Sequence, residues 1–74
     1  MEKVFINTEF IKLSQALKLA NKVESGSFAK MIILDELVKV NGQTCTVKGK
    51  KIYNMDIIEI CGEESSKFQI VSKE

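Results

Sequence analysis

The stretch that decides the fold is residues 38–47, VKVNGQTCTV, in the middle of a 74-residue chain. Its Asn41-Gly42 pair is the strongest short signal for a β-hairpin, because both residue types tolerate the positive φ angles of a type I′ turn. A two-residue turn places Val40 opposite Gln43 and makes residues 44–47 the returning strand. Alternation then predicts one apolar face, formed by Val38, Val40, Cys45 and Val47. The opposite face carries Lys39, Thr44, Thr46 and Lys48.

Two amphipathic helices are predicted before the hairpin. The first begins near a cap at Ser14, and its apolar residues recur with helical spacing at Leu13, Ala16, Leu17 and Ala20. The second is predicted over residues 27–36, after the break at Glu24-Ser25-Gly26-Ser27. Its inner stripe is predicted to be Phe28, Met31 and Ile32, widened by Ile33 and Leu34. The lysines that point away from these stripes, toward water or a ligand, are Lys18, Lys22 and Lys30.

Three further strands are predicted outside the hairpin. Residues 4–6 form an edge strand, residues 57–60 a core strand with Ile58 and Ile60 inward, and residues 67–71 a final strand. A dense basic loop, Lys48-Gly49-Lys50-Lys51, and a turn at 54–56 precede the core strand. Since no internal repeat or linker separates these elements, we expect a single domain over residues 1–74 with one core.

Composition argues against several classes of function. The chain has no His, and Cys45 and Cys61 are too far apart for a CxxC pair, so we expect no metal and no cofactor. The lack of His also removes the commonest general base, and we do not expect an enzyme. The two cysteines are interpreted as reduced, partly buried structural residues. The longest apolar run, residues 31–34, is far shorter than the roughly 20 residues of a membrane span, so we expect a cytoplasmic protein.

Charge is distributed unevenly along the chain. The net charge is only +1, yet the segment from Lys12 to Lys51 carries eight lysines against three acids. The remainder carries three lysines against seven acids. Every basic residue is lysine, which lacks the bidentate contacts that arginine makes to bases, so a nucleic acid would be held mainly by its phosphates. A basic run such as residues 48–51 can also be no more than a solvated surface, and that alternative stays open.

Two features allow a structural as well as a functional interpretation. Ser25-Gly26-Ser27 can cap a helix, or it can bring backbone N–H groups close to a phosphate. Tyr53, beside the basic loop, can stack on an unpaired base, although the pattern favours a half-buried tyrosine with its hydroxyl in water. The four phenylalanines fall mostly at apolar-stripe positions, which leaves Tyr53 as the one candidate for stacking.

The order of these elements resembles a known RNA-binding family. The fragments that carry the resemblance are Ile11-x-Leu13, Leu17-Lys18-Leu19, Ser25-Gly26, Ala29-Lys30, Val38-Lys39-Val40-Asn41-Gly42, Lys48-Gly49-Lys50-Lys51-Ile52 and Asp56-x-Ile58. In this order and spacing they resemble the RNA-binding domain first found in ribosomal protein S-four, also called the αL motif. Within that family the chain is most similar to the small stand-alone YaaA-like bacterial proteins. The resemblance covers about residues 8–60.

The resemblance implies an α+β fold in which two or three short helices pack on a small, mostly antiparallel sheet. It also implies a ribosome-associated protein that binds structured RNA, with ribosomal or transfer RNA as the family-level expectation. The RNA-binding residues that it implies are Lys18, Ser25, Gly26, Lys30, Lys39, Asn41, Lys48, Lys50 and Lys51, to which helix geometry adds Lys22. Many relatives have arginines in the second helix and basic loop, and Pro-Gly where this chain has Asn54-Met55. One residue of that pair must therefore adopt a positive φ, and Asn54 is the expected one.

Two functional hypotheses follow from these patterns. The first is an RNA-binding module that relies on lysine–phosphate contacts for affinity and on the shape of the RNA for selectivity. The second is a protein-interaction module of similar fold, which docks through an apolar patch or through the acidic segment around Glu59, Glu63 and Glu64. Nothing in the sequence demands an oligomer, so we expect a monomer.

Overall fold

The computed structural model describes residues 1–62 and 65–73, and within them the chain forms seven strands and two helices. The strands are β1 (Glu2–Ile6), β2 (Phe10–Lys12), β3 (Val38–Val40), β4 (Gln43–Thr44), β5 (Lys51–Tyr53), β6 (Ile57–Ile60) and β7 (Ser66–Ser72). The helices are α1 (Leu13–Leu19) and α2 (Gly26–Leu34). The expected α+β fold, with short helices packed on a small and mostly antiparallel sheet, is confirmed.

The strands form one main sheet and one small ribbon. The main sheet has the order β1-β7-β6-β3-β4, and its neighbours are antiparallel except for the parallel pair of β1 and β7. Strands β2 and β5 pair separately as an antiparallel two-stranded unit, which we name the ribbon. The sequence pattern missed the ribbon because its strands have only three residues each and lie far apart in the chain, with no turn signal such as the one that marks the equally short β3.

The hairpin of β3 and β4 has the predicted two-residue turn. Asn41 and Gly42 have φ angles of 52° and 85°, and Val40 pairs with Gln43. The returning strand ends earlier than predicted, at Thr44. Val47, expected on the apolar face, is 60% exposed, because the chain has by then left the sheet and entered the basic loop.

Helix α1 buries the face that its apolar spacing predicts. All four residues of its stripe are buried, and three of them have no exposed surface. The N-cap is Lys12 rather than the expected Ser14, and the Gln15 side-chain oxygen accepts the Lys12 backbone N–H at 3.0 Å. The helix therefore begins directly after strand β2, which joins it rigidly to the ribbon.

Helix α2 buries a face that overlaps only in part with the predicted one, at Ile32 and Ile33. The residues that it buries are Ala29, Ile32 and Ile33. The apolar residues expected inside but found exposed are Phe28 at 45%, Met31 at 48% and Leu34 at 57%. The segment is apolar on nearly every side, so spacing alone does not define one inner face. The small side chain of Ala29 allows close approach to the core, whereas hydropathy favours the larger Phe28 and Met31.

The core lies between the inner face of the main sheet and the helices and ribbon. Its largest fully buried side chains include Leu13, Leu17, Ile33, Ile52, Ile58, Phe68 and Ile70. Because successive residues of a strand face opposite sides, the intervening positions lie on the outer face of the main sheet. In the part of the chain that the structure describes, no helix is long and apolar enough to cross a membrane.

The turn before β6 departs from the expected backbone conformation. Met55, and not Asn54, has the positive φ angle, 74°. The Asn54 side-chain oxygen accepts the backbone N–H of Ser72 at 2.8 Å, while the Met55 N–H donates to the carbonyl of Ile70 at 2.7 Å. These bonds to β7 hold both turn residues in place and leave the Met55 side chain 58% exposed.

Candidate nucleic-acid interface

Four lysines gather where the ribbon meets the beginning of α1. Lys12 and Lys51 lie directly opposite each other in the ribbon. The basic loop crosses the start of α1, where the carbonyl of Lys50 accepts the Leu13 N–H at 2.9 Å and that of Lys48 accepts the next N–H at 3.2 Å. All four residues are exposed. We name Lys12, Lys48, Lys50 and Lys51 the ribbon lysines; Lys12 was not among the predicted site residues, since only the register of the ribbon reveals its place.

The ribbon lysines have no acidic partner in the described part of the chain. The ion pair found there joins Lys22 and Glu2 instead, with 2.9 Å between Nζ and Oε1. Like charges directly opposite each other in an antiparallel pair are destabilising. The ribbon therefore holds an excess of positive charge that a bound anion would neutralise.

The predicted helix lysines differ in their surroundings. Lys18 and Lys30 are exposed, as their positions on the helical wheel predict. Lys18 follows Ser14 by one helical turn, which places it on the same face of α1 and one turn from the basic loop. Lys22, beyond the end of α1, is bound to Glu2 and is only partly exposed. Among the described residues Lys18 and Lys30 thus have no acidic partner, whereas the charge of Lys22 is neutralised by Glu2.

Ser25 and Gly26 form the beginning of α2. The Ser25 hydroxyl accepts the backbone N–H of Phe28 at 3.2 Å, which is an ordinary N-cap. Gly26 is the first helical residue, and no atom lies within 4 Å of the place where a Cβ would stand. The structure thus shows the capping interaction that the sequence allowed, together with open space beside Gly26.

Lys39 lies on the outer face of the main sheet, away from the ribbon lysines. Glu59 is the register partner of Lys39 on one neighbouring strand and of Lys67 on the other, so its strand position lies between those of two lysines. Glu59 is also the described member of the predicted acidic segment, since Glu63 and Glu64 lie outside the described residues. The structure does not bring Lys39 together with the other predicted lysines.

Asn41 uses both ends of its side-chain amide within the protein. Its oxygen accepts the Ile57 N–H at 2.9 Å, and its nitrogen donates to Asp56 at 3.0 Å. The other carboxylate oxygen of Asp56 accepts the backbone N–H of Tyr53 at 2.8 Å. Asn41 and Asp56 together form a clasp that ties the hairpin turn to the end of the ribbon.

Tyr53 lies on the outer face of the ribbon beside an aromatic partner. It is 42% exposed, and its ring centre is 5.6 Å from that of Phe10, with the two planes inclined at 44°. The sequence does not single out Phe10 as an aromatic surface residue, because the phenylalanines are expected mostly at buried stripe positions. That expectation is wrong for Phe5 and Phe28, which are 54% and 45% exposed, whereas Phe68 is fully buried.

The described residues contain no group of three or more His, Cys, Asp and Glu side chains that could hold a metal ion. Cys45 and Cys61 are free thiols, and each is partly buried. The chemistry available on the surface described above is therefore that of ammonium groups, aromatic rings and a few polar side chains.

Comparison with known proteins connects this geometry to a family. The family model described as the S4 domain matches residues 4–71. A probable ribosome maturation protein, RlbA from Bacillus subtilis (strain 168), is 41% identical over 69 residues, which are 93% of this chain and 94% of that protein. The crystal structure of 30S ribosomal protein S4e from Thermoplasma acidophilum has a TM-score of 0.57 and 33% identity. That match covers 80% of this chain but 31% of S4e, so the likeness concerns one part of the larger protein. Since the family model spans nearly all of the sequence and the small relative matches over nearly its whole length, this chain belongs to the S4 domain family.

Proposed function

We propose that this protein binds structured RNA through the ribbon lysines, assisted by Lys18 and Lys30 on the helices, and that it catalyses no reaction. The observation that carries the proposal is the cluster of four exposed lysines without an acidic partner in the described part of the chain. The names of its relatives, a probable ribosome maturation protein and a ribosomal protein, support ribosomal RNA as the target and the cytoplasm as its location.

The proposed binding relies on charge and shape more than on base recognition. Lysine ammonium groups act as point charges toward phosphate oxygens and carry little sequence information. A-form RNA hides its base edges in a deep, narrow major groove, so selectivity comes from the shape of a helix, junction or loop. Ser25 and Gly26 lie at the start of α2, where the space beside Gly26 is open, and they remain predicted contacts from the family resemblance. Lys22, Lys39 and Asn41 are the weakest of the predicted contacts, because each already has a protein partner or an acidic neighbour.

A salt titration tests this proposal. The purified protein is titrated with a hairpin-containing fragment of ribosomal RNA, and with a DNA duplex of the same sequence as a control, over a range of salt concentrations. We expect log affinity for the RNA to fall with log salt by about 0.7 to 0.9 per phosphate neutralised, with a slope that corresponds to four or more contacts. Binding to B-form DNA should be weaker, because its groove dimensions differ. No RNA binding at low salt would overturn the proposal.

The protein-interaction hypothesis has less support in the described residues. Of the acidic segment on which this hypothesis depends, the structure describes Glu59. Its register partners on the two neighbouring strands are Lys39 and Lys67, which offset its negative charge. The exposed apolar residues of α2 offer another surface, but nothing in the structure indicates which partner would cover it. RNA binding is therefore the function that the geometry supports best.

A further inference from the structure

We propose that the outer face of the ribbon binds one unpaired RNA nucleotide, with its base stacked on Tyr53 and its phosphate held by Lys12 and Lys51. This inference rests on the proposed function and extends it from paired RNA to a loop, bulge or single-stranded end. It also assigns roles to Phe10, Lys12 and Glu9, which the sequence did not single out.

The register of the ribbon places two aromatic and two cationic side chains on one face. Ile11 pairs with Ile52, and these two face the core, where Ile52 is fully buried. The pairs on either side, Phe10 with Tyr53 and Lys12 with Lys51, must then share the opposite face. Along a strand, residues two apart are separated by about 7 Å. The backbone positions of the aromatic pair and of the lysine pair are thus neighbours along the ribbon, close enough for one nucleotide to contact both.

Within this array the two rings have different roles. The Lys51 ammonium lies 4.9 Å from the centre of the Phe10 ring and covers that ring by a cation–π contact. Tyr53 is the more exposed of the two residues and is the platform for a base. Phe10 acts as a positioning residue, since its ring packs against Tyr53 at 5.6 Å. The hydrogen bond from the Tyr53 N–H to Asp56 fixes the backbone beneath the platform.

A shallow pocket beside Tyr53 indicates which bases would fit. It has a volume of about 360 Å³ and is lined by Glu9, Tyr53, Asn54 and Ser72. The Glu9 carboxylate is an acceptor for the exocyclic amino group of cytosine, adenine or guanine, a group that uracil lacks. The Asn54 side-chain oxygen already accepts the Ser72 N–H. Its NH₂ group is the donor that we assign to a carbonyl oxygen or ring nitrogen of the base.

The charges also set the direction of the nucleotide. Glu9 adjoins Phe10 at the aromatic end of the ribbon, where its negative charge repels a phosphate. Lys12 and Lys51 form the other end, where their unneutralised charge attracts one. The charges therefore favour a nucleotide whose base lies at the Glu9 end of the ribbon and whose phosphate lies at the lysine end. A base within a duplex is already stacked and paired, so the site takes an unpaired nucleotide.

The test compares two RNAs and uses the one tyrosine of the chain as a reporter. One RNA is a blunt hairpin, and the other is the same hairpin with a short single-stranded extension of cytidines. Because the chain has one Tyr and no Trp, its fluorescence reports on Tyr53 alone. We expect the extended RNA to bind roughly tenfold tighter than the blunt one, in line with base–aromatic stacking, and to quench the tyrosine emission.

Matched variants separate stacking from charge. Tyr53→Leu should remove the tenfold advantage of the extended RNA over the blunt hairpin, whereas Tyr53→Trp should keep it. A uridine extension should bind several-fold more weakly than the cytidine one, and Glu9→Ala should abolish that difference. Circular dichroism of each variant checks that it is folded.

The outcomes distinguish this inference from the proposed function. Equal affinity of the two RNAs, or an advantage of the extended RNA that survives in Tyr53→Leu, would overturn the nucleotide site. Salt-dependent binding to the blunt hairpin in the same experiment would still support the lysine interface. Failure to bind either RNA at low salt would overturn both.

Discussion

The ribbon lysines and the lysines of the outer sheet face use the same side chain in opposite settings. On the ribbon, Lys12 faces Lys51 across the strands, and the basic loop adds two more positive charges. On the outer sheet face, Glu59 stands between Lys39 and Lys67, so positive and negative charges alternate across three strands. Alternation of this kind stabilises a sheet by about 0.2–1 kcal/mol per opposite-charge pair, whereas like charges in register are destabilising.

This difference teaches that the number of lysines does not identify a nucleic-acid surface. Lys39 and Lys51 are equally basic residues in the same central, lysine-rich segment of the sequence. Only Lys51 lies where the local charge is left unbalanced within the described part of the chain. An unfavourable arrangement that the fold retains is best explained by a ligand that relieves it, and for lysines the simplest ligand is phosphate.

The largest expected effect comes from removing three ribbon lysines together. In the variant K48A/K50A/K51A, three phosphate contacts are lost, each worth roughly fourfold in affinity near 0.15 M salt, so binding to the rRNA hairpin should weaken on the order of 50-fold. The slope of log affinity against log salt should become shallower by an amount that corresponds to two or three phosphate contacts. Fluorescence anisotropy with labelled RNA measures both quantities. The domain should stay folded because all three side chains are exposed, and retained affinity in a folded variant would remove the loop from the interface.

A smaller effect is expected when the clasp that positions the ribbon is broken. Asp56→Ala removes the acceptor of two hydrogen bonds, from the Tyr53 N–H and from Asn41, and should lower the free energy of unfolding by about 2 kcal/mol. Urea denaturation measures this change. If the clasp also fixes the ribbon lysines for binding, RNA affinity should fall under conditions where the variant is still folded. A change in stability below about 0.5 kcal/mol would show that the clasp contributes nothing beyond an ordinary surface contact.

The smallest effect is expected from the matched control on the outer sheet face. The variant K3A/K39A/K67A removes the same number of positive charges as the loop variant, from residues whose strand positions all lie on that face. We expect RNA affinity to change by less than about threefold, since only long-range attraction is lost and salt screens it. Equal loss of affinity in the two triple variants would mean that net charge, and not the ribbon, drives binding.

How much the sequence could predict depended on whether a feature was local. The hairpin turn was predicted because Asn41 and Gly42 suit its positive φ angles whatever surrounds them. The inner face of α1 was predicted because its four stripe residues recur with helical spacing and the polar Ser14, Gln15 and Lys18 mark the boundary of the opposite side. Helix α2 has no such boundary, so the choice of Ala29 over Phe28 for the core could be made only by the neighbours against which it packs. Met55 took the positive φ for a similar reason, since bonds to β7 outweighed its own preference.

By itself the sequence determined the order of the elements, the α+β class, the hairpin register and the uneven charge, because each follows from residues close together in the chain. The family likewise followed from the order and spacing of short fragments. Only the tertiary structure decided that β2 pairs with β5, which places Lys12 against Lys51 and Phe10 against Tyr53. It also decided that Lys39, on the outer face that alternation predicts, lies beside Glu59 and away from the ribbon. The physical reason is that pairing between distant strands is set by packing of the core, and no local pattern records which surface residues that packing brings together.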